Sequence, residues 1–219
     1  DVVIRDTQQG AADGVTGHGL HVQAQIDPLV TGSATMARLI VEDSHDCGIC
    51  IFDSDAQLEA IAVRGVEASD GNYIAMGLIG GQSGQFSGFR PSFEVRGAAV
   101  EQVGFFGVGS TGADAIFEGV LVRDVAPTSD GLEGRGMSVE TDPFYSELGT
   151  GVVRGCRIER VSTYGLSVVG ATATIESTAV RDVAAAPSSG MFGRGIGVEI
   201  APQTDLRSSA TVSNCLIER

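Results

Sequence analysis

The chain of 219 residues has no tryptophan, no lysine and few aromatic side chains, which make up 5% of its residues. All 14 basic residues are arginines and 28 residues are acidic, so the formal net charge is −14. Nucleic acids and anionic membranes are bound by basic surfaces, and we therefore expect neither as a partner. No apolar run approaches the ~20 residues of a transmembrane helix, so we also expect no membrane span.

Cysteine is scarce too, and the four cysteines do not form the dense pattern of a small disulfide-stabilised domain. Cys47 and Cys50 form a C-x-x-C pair, but no second pair or histidine follows at the spacing of a zinc site. Cys156 and Cys215 share a repeat position with apolar residues in other copies. We expect these two to be small core residues and expect no metal at the C-x-x-C pair.

Glycine, in contrast, is abundant at 31 residues, and Val, Ile and Thr recur in short runs. This composition favours many short strands joined by turns, and no long segment has the period of an amphipathic helix. Hydrophobic residues make up 42% of the chain, which is enough for a continuous core. We predict one all-β domain over residues 1–219, a length that fits a single domain.

The chain repeats itself every 58 or 59 residues. Arg5, Arg64, Arg123 and Arg181 each follow an aliphatic residue and lie 59, 59 and 58 residues apart. Within this period, a glycine followed by an apolar residue recurs every 29 or 30 residues, at Gly19, Gly48, Gly77, Gly107, Gly136, Gly165 and Gly195. Each 59-residue unit thus contains two similar coils. Units this short cannot bury their apolar faces alone and must stack on one another.

The spacing of the apolar strands indicates what kind of stack this is. The last apolar positions of successive strands are separated alternately by about 37 and 22 residues. Roughly 22 residues make one turn of a parallel β-helix, in which each strand pairs with its copy in the next turn. We predict right-handed coiling, as for other parallel crossovers. Seven to eight coils would give a rod about 35 Å long at the usual strand spacing.

Charged residues alternate in sign along the predicted stack. The residue after the last apolar position of each strand is, in order, Arg5, Glu42, Arg64, Glu101, Arg123, Glu159, Arg181 and Glu218. A second set has the opposite phase: Glu59, Arg96, Glu118, Arg154 and Glu176. In a parallel stack every inner arginine would lie between two glutamates, and each cross-strand pair would contribute roughly 0.2–1 kcal/mol. We interpret both sets as structural charge ladders that also disfavour a slip by one coil.

The repeated segments 173–182 (ATIESTAVRD) and 194–198 (RGIGV) resemble those of right-handed parallel β-helix repeat proteins, the pectate-lyase-like superfamily. The resemblance covers the whole chain and concerns the fold. Members of that superfamily include polysaccharide lyases, glycosidases, epimerases, surface adhesins and phage-tail proteins. A shared fold does not by itself select among these functions.

One candidate site breaks the regular repeat. Asp46, Asp53 and Asp55 lie on one short coil, and the alternation of a strand predicts that Asp53 and Asp55 point to the same side. They could bind a cation, or act as a glycosidase pair with carboxyl groups ~5–10 Å apart. They could equally be turn residues, since aspartate favours turns.

A second candidate is a ridge of Asp-Gly loops. Asp13, Asp70 and Asp130 recur once per two coils, which would place them ~9.6 Å apart along the stack. Carboxylates in a row could bind Ca²⁺ through oxygen ligands, but Asp-Gly is mainly a turn signal. We therefore expect no required cofactor and keep calcium as the alternative.

Histidines and aromatic residues give weaker signals. The histidines at positions 18, 21 and 45 show none of the usual metal-site spacings, such as H-x-x-x-H, and we expect His18 in a surface loop. Phe144 and Tyr145 fall in a loop excursion. There they could form a carbohydrate platform or anchor the loop.

These patterns favour a noncatalytic, surface-displayed or secreted β-helix that serves as a binding or spacer module for a glycan or protein. The alternative is a carbohydrate-active enzyme, a polysaccharide lyase or a glycosidase, on the same fold. A catalytic site is local, whereas the ladder arginines recur in every repeat. The chain begins and stops within the same kind of strand without polar caps. We therefore expect a piece of a longer solenoid, or chains that associate end to end.

Overall fold

The structure, a computed structural model, describes residues 1–8, 17–24, 30–69, 74–84, 89–131, 133–142, 144, 148–190 and 192–219. Within these ranges the chain is all-β, as predicted, and contains no helix. Its twenty strands are β1 (Val2–Arg5), β2 (Leu20–Gln23), β3 (Gly32–His45), β4 (Cys47–Phe52), β5 (Ser54–Glu67), β6 (Met76–Gly81), β7 (Ser92–Arg96), β8 (Ala99–Val103), β9 (Phe106–Thr111), β10 (Asp114–Glu118), β11 (Leu121–Val125), β12 (Arg135–Glu140), β13 (Gly149–Arg154), β14 (Arg157–Ser162), β15 (Tyr164–Val169), β16 (Ala171–Glu176), β17 (Ala179–Ala184), β18 (Arg194–Glu199), β19 (Ser209–Ser213) and β20 (Leu216–Glu218). Among the described residues, no helix is long and apolar enough to cross a membrane.

The strands form two sheets of 13 and 7 strands. The pairings between these strands are parallel, and the first half of β5 pairs with β7 while its second half pairs with β8. An isolated antiparallel bridge joins Ala185 and Phe192 outside the strands. In the larger sheet the paired residues lie 22 or 36–37 positions apart, as in Gly32 with Ser54 and Val2 with Leu39. In the 7-stranded sheet they lie 29 or 30 apart, as in Leu20 with Ile49. Long parallel sheets of this kind are compatible with a β-solenoid.

The core consists of apolar side chains from successive strands stacked on one another. Period-2 alternation sends every second residue of each strand inward, so that equivalent positions meet across paired strands. The three inner columns contain residues that are at most 1% exposed: Val41, Val63, Val100, Val122, Ile158 and Val180; Leu58, Val95, Phe117, Val153 and Ile175; and Ile49, Leu78, Val108, Met137 and Leu166. Burial in continuous columns is the main source of stability in a stack of short coils. Cys156 lies in this core and Cys215 packs partly buried against it.

The chain turns where the backbone adopts a left-handed conformation. The residue after each of the first seven ladder positions has φ between 50° and 67°: Asp6, Asp43, Gly65, Gln102, Asp124, Arg160 and Asp182. Among non-glycine residues, aspartate tolerates this region better than most. The need for a left-handed corner explains why aspartate so often follows the ladder residue, which the sequence did not reveal.

The charged residues form two columns on the outside of the larger sheet. The register places neighbours of opposite sign side by side in the order Arg5, Glu42, Arg64, Glu101, Arg123, Glu159, Arg181 and Glu218. It does the same for Glu59, Arg96, Glu118, Arg154 and Glu176. Arg123 Nη2 lies 2.8 Å from Glu101 Oε1, and Arg181 Nε lies 2.7 Å from Glu218 Oε1. These arginines are partly exposed to solvent, so each ion pair contributes modestly.

Reversing one ladder charge tests the columns. We expect Glu101→Arg to lower the free energy of unfolding by about 1–2 kcal/mol, because it replaces two attractive cross-strand pairs with two repulsive ones. The penalty should shrink as salt is added. Urea denaturation at low and high NaCl measures it, with Glu101→Gln as the control that removes attraction alone and should cost less than half as much. Equal stability of all three proteins at low salt would contradict the ladder.

Candidate functional site

Asp46, Asp53 and Asp55, the three aspartates of the short coil, each accept hydrogen bonds from a different serine. Asp46 accepts hydrogen bonds from the backbone N of Ser69 at 2.9 Å and from its Oγ at 2.7 Å. Asp53 accepts from the backbone N and Oγ of Ser83. Asp55 accepts from the backbone N and Oγ of Ser92, both at 2.8 Å. Each carboxylate therefore ties its own coil to a later segment of the chain.

The expectation that Asp53 and Asp55 point to the same side is wrong. Asp53 is fully buried, whereas Asp55 is exposed. The reason is that Asp53 has a left-handed backbone with φ of 53°, which turns the chain just before β5. Strict alternation holds only for continuously extended backbone.

The predicted calcium ridge is described at only one of its three positions. Asp13 and Asp70 lie outside the described residues. Asp130 accepts a hydrogen bond from Thr128 Oγ1 at 2.5 Å within a turn in which the backbone N of Gly131 donates to the carbonyl of Thr128. Across the described ranges, His, Cys, Asp and Glu side chains form no group of three or more that could hold a metal ion.

The outer face of the 7-stranded sheet contains a column in which arginines and aromatic rings alternate. The register aligns Phe106, Arg135, Tyr164 and Arg194 on successive strands. The Arg135 guanidinium lies 5.2 Å from the centre of the Phe106 ring and 5.7 Å from that of Tyr164. Arg194 lies 5.6 Å from the Tyr164 ring and 5.4 Å from Phe192. Each contact is worth roughly 0.5–1 kcal/mol when exposed.

Glutamates neutralise this arginine–aromatic column. Arg135 pairs with Glu140 and with Glu133, the latter at 3.1 Å, and Arg194 pairs with Glu199. Tyr164 donates a hydrogen bond to Glu199 Oε1 at 2.7 Å. Burial, together with the nearby Glu199 carboxylate, raises the pKa of Tyr164 to about 12. The tyrosine therefore stays protonated and the arginines stay paired, so the column acts as a bracing network.

Further along the same face lies a cavity of about 380 Å³, which we call the Phe144 pocket. Its walls include His21, Phe52, Gln82, Ser83, Asp142 and Phe144. Phe144 is 74% exposed as a residue, and its ring lies over Gly84, where an added Cβ atom would collide with the ring. Gly84 also has a positive φ of 75°, so both the turn and the ring's position depend on glycine there. The pocket has the size of a small-ligand site.

Buried polar groups shape the walls of the Phe144 pocket. Thr111 Oγ1 donates to the carbonyl of Gln82 at 3.0 Å, and Gln82 itself donates to the carbonyl of Phe89. The carboxylate of Asp142 accepts the backbone N–H of Phe144 at 2.8 Å. Asp53 holds Ser83, another residue of the pocket wall, by accepting a hydrogen bond from its backbone N–H. A flat aromatic face beside fixed polar groups can hold a ligand with both apolar and hydroxylated faces.

A disulfide joins Cys47 and Cys50, whose Cα atoms are 6.2 Å apart. Both cysteines are buried with Ile79 in a small apolar cluster apart from the main core, and Phe52 and Met76 pack against it. Cys156 remains a free thiol, and burial raises its pKa to about 11, so it is an unreactive core residue. The C-x-x-C spacing was visible in the sequence, but the choice between metal ligand, free thiol and disulfide depends on which way the side chains point.

Comparison of the chain with protein-family models, with curated proteins and with solved structures gives no match. The resemblance to pectate-lyase-like proteins therefore rests on the repeat itself. Sequence reasoning singled out Phe144 as an aromatic residue near an excursion. It did not single out Gln82 or Ser83, and it did not place Asp142 beside them, because these residues meet only when successive coils stack.

Proposed function

We propose that the chain is a noncatalytic β-helix module that is displayed on a cell surface or secreted and binds a glycan in the Phe144 pocket. The finer fold in this proposal is a single right-handed parallel β-helix of seven to eight coils with a 59-residue double-coil repeat, as in the pectate-lyase-like superfamily. The observation that carries the binding function is the exposed Phe144 ring beside the polar groups of Gln82 and Asp142. Sugars present an apolar C–H face and a rim of hydroxyl groups, and the lining of this pocket contains both an aromatic ring and polar side chains.

Two further observations support this proposal over the enzymatic alternative and suggest where the protein works. The carboxylates of Asp46, Asp53 and Asp55 are engaged with serines that link segments of the stack, which is a structural task. The Cys47–Cys50 disulfide favours an oxidising compartment such as the extracellular space. An acidic chain also favours neutral or cationic ligands over anionic polysaccharides.

The proposal extends to association along the stack. Side chains of the last strands are exposed, with Val212, Leu216 and Ile217 between 44% and 54% accessible. The ladder alternates in charge from coil to coil, and a second copy placed end to end would continue that alternation. The neighbouring copy would then cover the unpaired edges of the outermost strands.

Removing the aromatic ring tests the glycan site. A glycan array probed with the folded protein should identify a bound neutral oligosaccharide, and Phe144→Ala should weaken that binding at least tenfold, because stacking area is lost. Titration calorimetry measures the change, with and without Ca²⁺, and we expect no effect of EDTA. Leu148→Ala, which truncates another exposed apolar side chain, is the control and should bind like the wild type. If no glycan is retained, or if Phe144→Ala binds unchanged, the proposal fails.

A further inference from the structure

His18 and His21 face each other across a short gap on the outside of the first described coil. Their Nδ1 atoms are 3.0 Å apart, and their ring centres are 5.0 Å apart with planes inclined by 43°. His18 is half-buried and His21 lies in β2. No role in the fold or in glycan binding requires two imidazole nitrogens to converge in this way.

The backbone between the two histidines is pinned. The N–H of Gly19 donates to the carbonyl of Cys47 at 2.9 Å. A Cβ atom at Gly19 would lie 2.3 Å from Val41 Cγ1 and 2.6 Å from the Gly48 carbonyl oxygen, so only glycine allows this approach to the core. Because the chain is held inward at Gly19, the flanking imidazoles project together on the outer side.

A neighbouring aromatic ring holds the His21 ring in its orientation. The Phe52 ring packs edge-on against His21, with centres 6.1 Å apart. A neutral imidazole is the form that binds a metal ion. Cys47 and Cys50 form a disulfide and therefore provide no thiolate ligand, so the donor atoms of the site are the imidazole nitrogens.

The 3.0 Å between the two nitrogens is closer to the spacing of two metal ligands at a right angle than to that of a tetrahedral site. With metal–nitrogen bonds of about 2.05 Å, two ligands at a right angle lie about 2.9 Å apart, whereas a tetrahedral zinc site needs about 3.3 Å. Square-planar geometry with nitrogen ligands is typical of Cu²⁺, which also binds such ligands most tightly among the divalent first-row metals. From the 3.0 Å separation we propose that His18 and His21 form a two-imidazole Cu²⁺ site, completed by water.

In the metal-free protein the same pair forms one hydrogen bond, in which one Nδ1–H donates to the other Nδ1. Metal binding through both Nδ1 atoms requires each neutral ring to carry its proton on Nε2, so the ring that donates this hydrogen bond must change its tautomer. The site adjoins the proposed glycan pocket, because His21 lines both, whereas His18 does not line the pocket. His18→Gln is therefore the variant that leaves the lining of the glycan pocket unchanged.

Titration of the folded chain with Cu²⁺ at pH 7.5 tests the site, with the amino terminus acetylated in all samples because a free terminal amine also binds copper. We expect one site whose dissociation constant rises at least tenfold in His18→Gln and in His21→Gln. His45→Gln is the matched control, since His45 Nδ1 contacts the carbonyl of Thr7 instead, and should bind like the wild type. Zn²⁺ should bind at least tenfold more weakly than Cu²⁺.

Electron paramagnetic resonance of the wild-type complex gives a readout that does not depend on how the variants fold. We expect hyperfine coupling from two imidazole nitrogens. Coupling from fewer than two nitrogens would overturn the proposal, as would wild-type affinity in both His18→Gln and His21→Gln.

Discussion

Phe117→Ala is expected to lower the free energy of unfolding by about 3–5 kcal/mol. Phe117 is fully buried in β10 and packs edge-on against Phe93, with ring centres 5.9 Å apart. Its partners on the strands to either side are Val95 and Val153, which are also fully buried. Those strands are themselves held by the next coils, so the wall around the lost ring cannot collapse into the cavity. Urea denaturation followed by circular dichroism measures the loss.

Phe117→Leu is the control for this experiment. It keeps most of the apolar volume, and we expect it to cost less than about 1.5 kcal/mol. If alanine and leucine destabilise equally, the cost does not come from a cavity. A loss below about 1 kcal/mol for alanine would mean that Phe117 is not in the close-packed interior.

The sequence was sufficient to predict the stacked parallel sheets because two rules act together. Alternation along a strand fixes which residues point inward, and pairing with the equivalent strand fixes which residues become neighbours. Arg64 and Glu101, 37 positions apart in the chain, therefore become partners on adjacent strands. The alternation of positive and negative residues along the chain stabilises the protein only because these strands pair.

The candidate sites were harder to predict, since they depend on where the repeat is interrupted. Asp53 has the sequence context of a strand-end aspartate, but its left-handed φ turns it inward toward Ser83, 30 positions away. The Phe144 pocket similarly combines loop residues with the strand residue Phe52. Contacts made by such loops depend on how neighbouring coils pack, and they cannot be read from the composition or spacing of residues near them in the chain. The close approach of His18 to His21 depends in the same way on Gly19 fitting against Val41.

Glycines near the start of successive strands in the 7-stranded sheet form a column, and the last prediction concerns one of them, Gly107. Gly107→Ala is expected to destabilise the fold by about 2–3 kcal/mol, as overpacking of a close-packed core does. A Cβ at this position would lie 2.3 Å from Val122 Cγ1 and 2.5 Å from the Gly136 carbonyl oxygen. The second contact is with backbone, which can yield only if paired strands separate.

Gly109→Ala, two residues further along β9, is the matched control. There the nearest atoms to a new Cβ would be 3.8 Å away on Ile79, an ordinary van der Waals contact, so we expect a change within about 0.5 kcal/mol. Thermal and urea unfolding of both variants separates the cost of a side chain inside the stack from the general cost of replacing a strand glycine. Similar stability of the two variants would mean that β9 and β12 are not held as closely as the register requires. A large difference is expected if the backbones of neighbouring coils are in contact at Gly107 and Gly136.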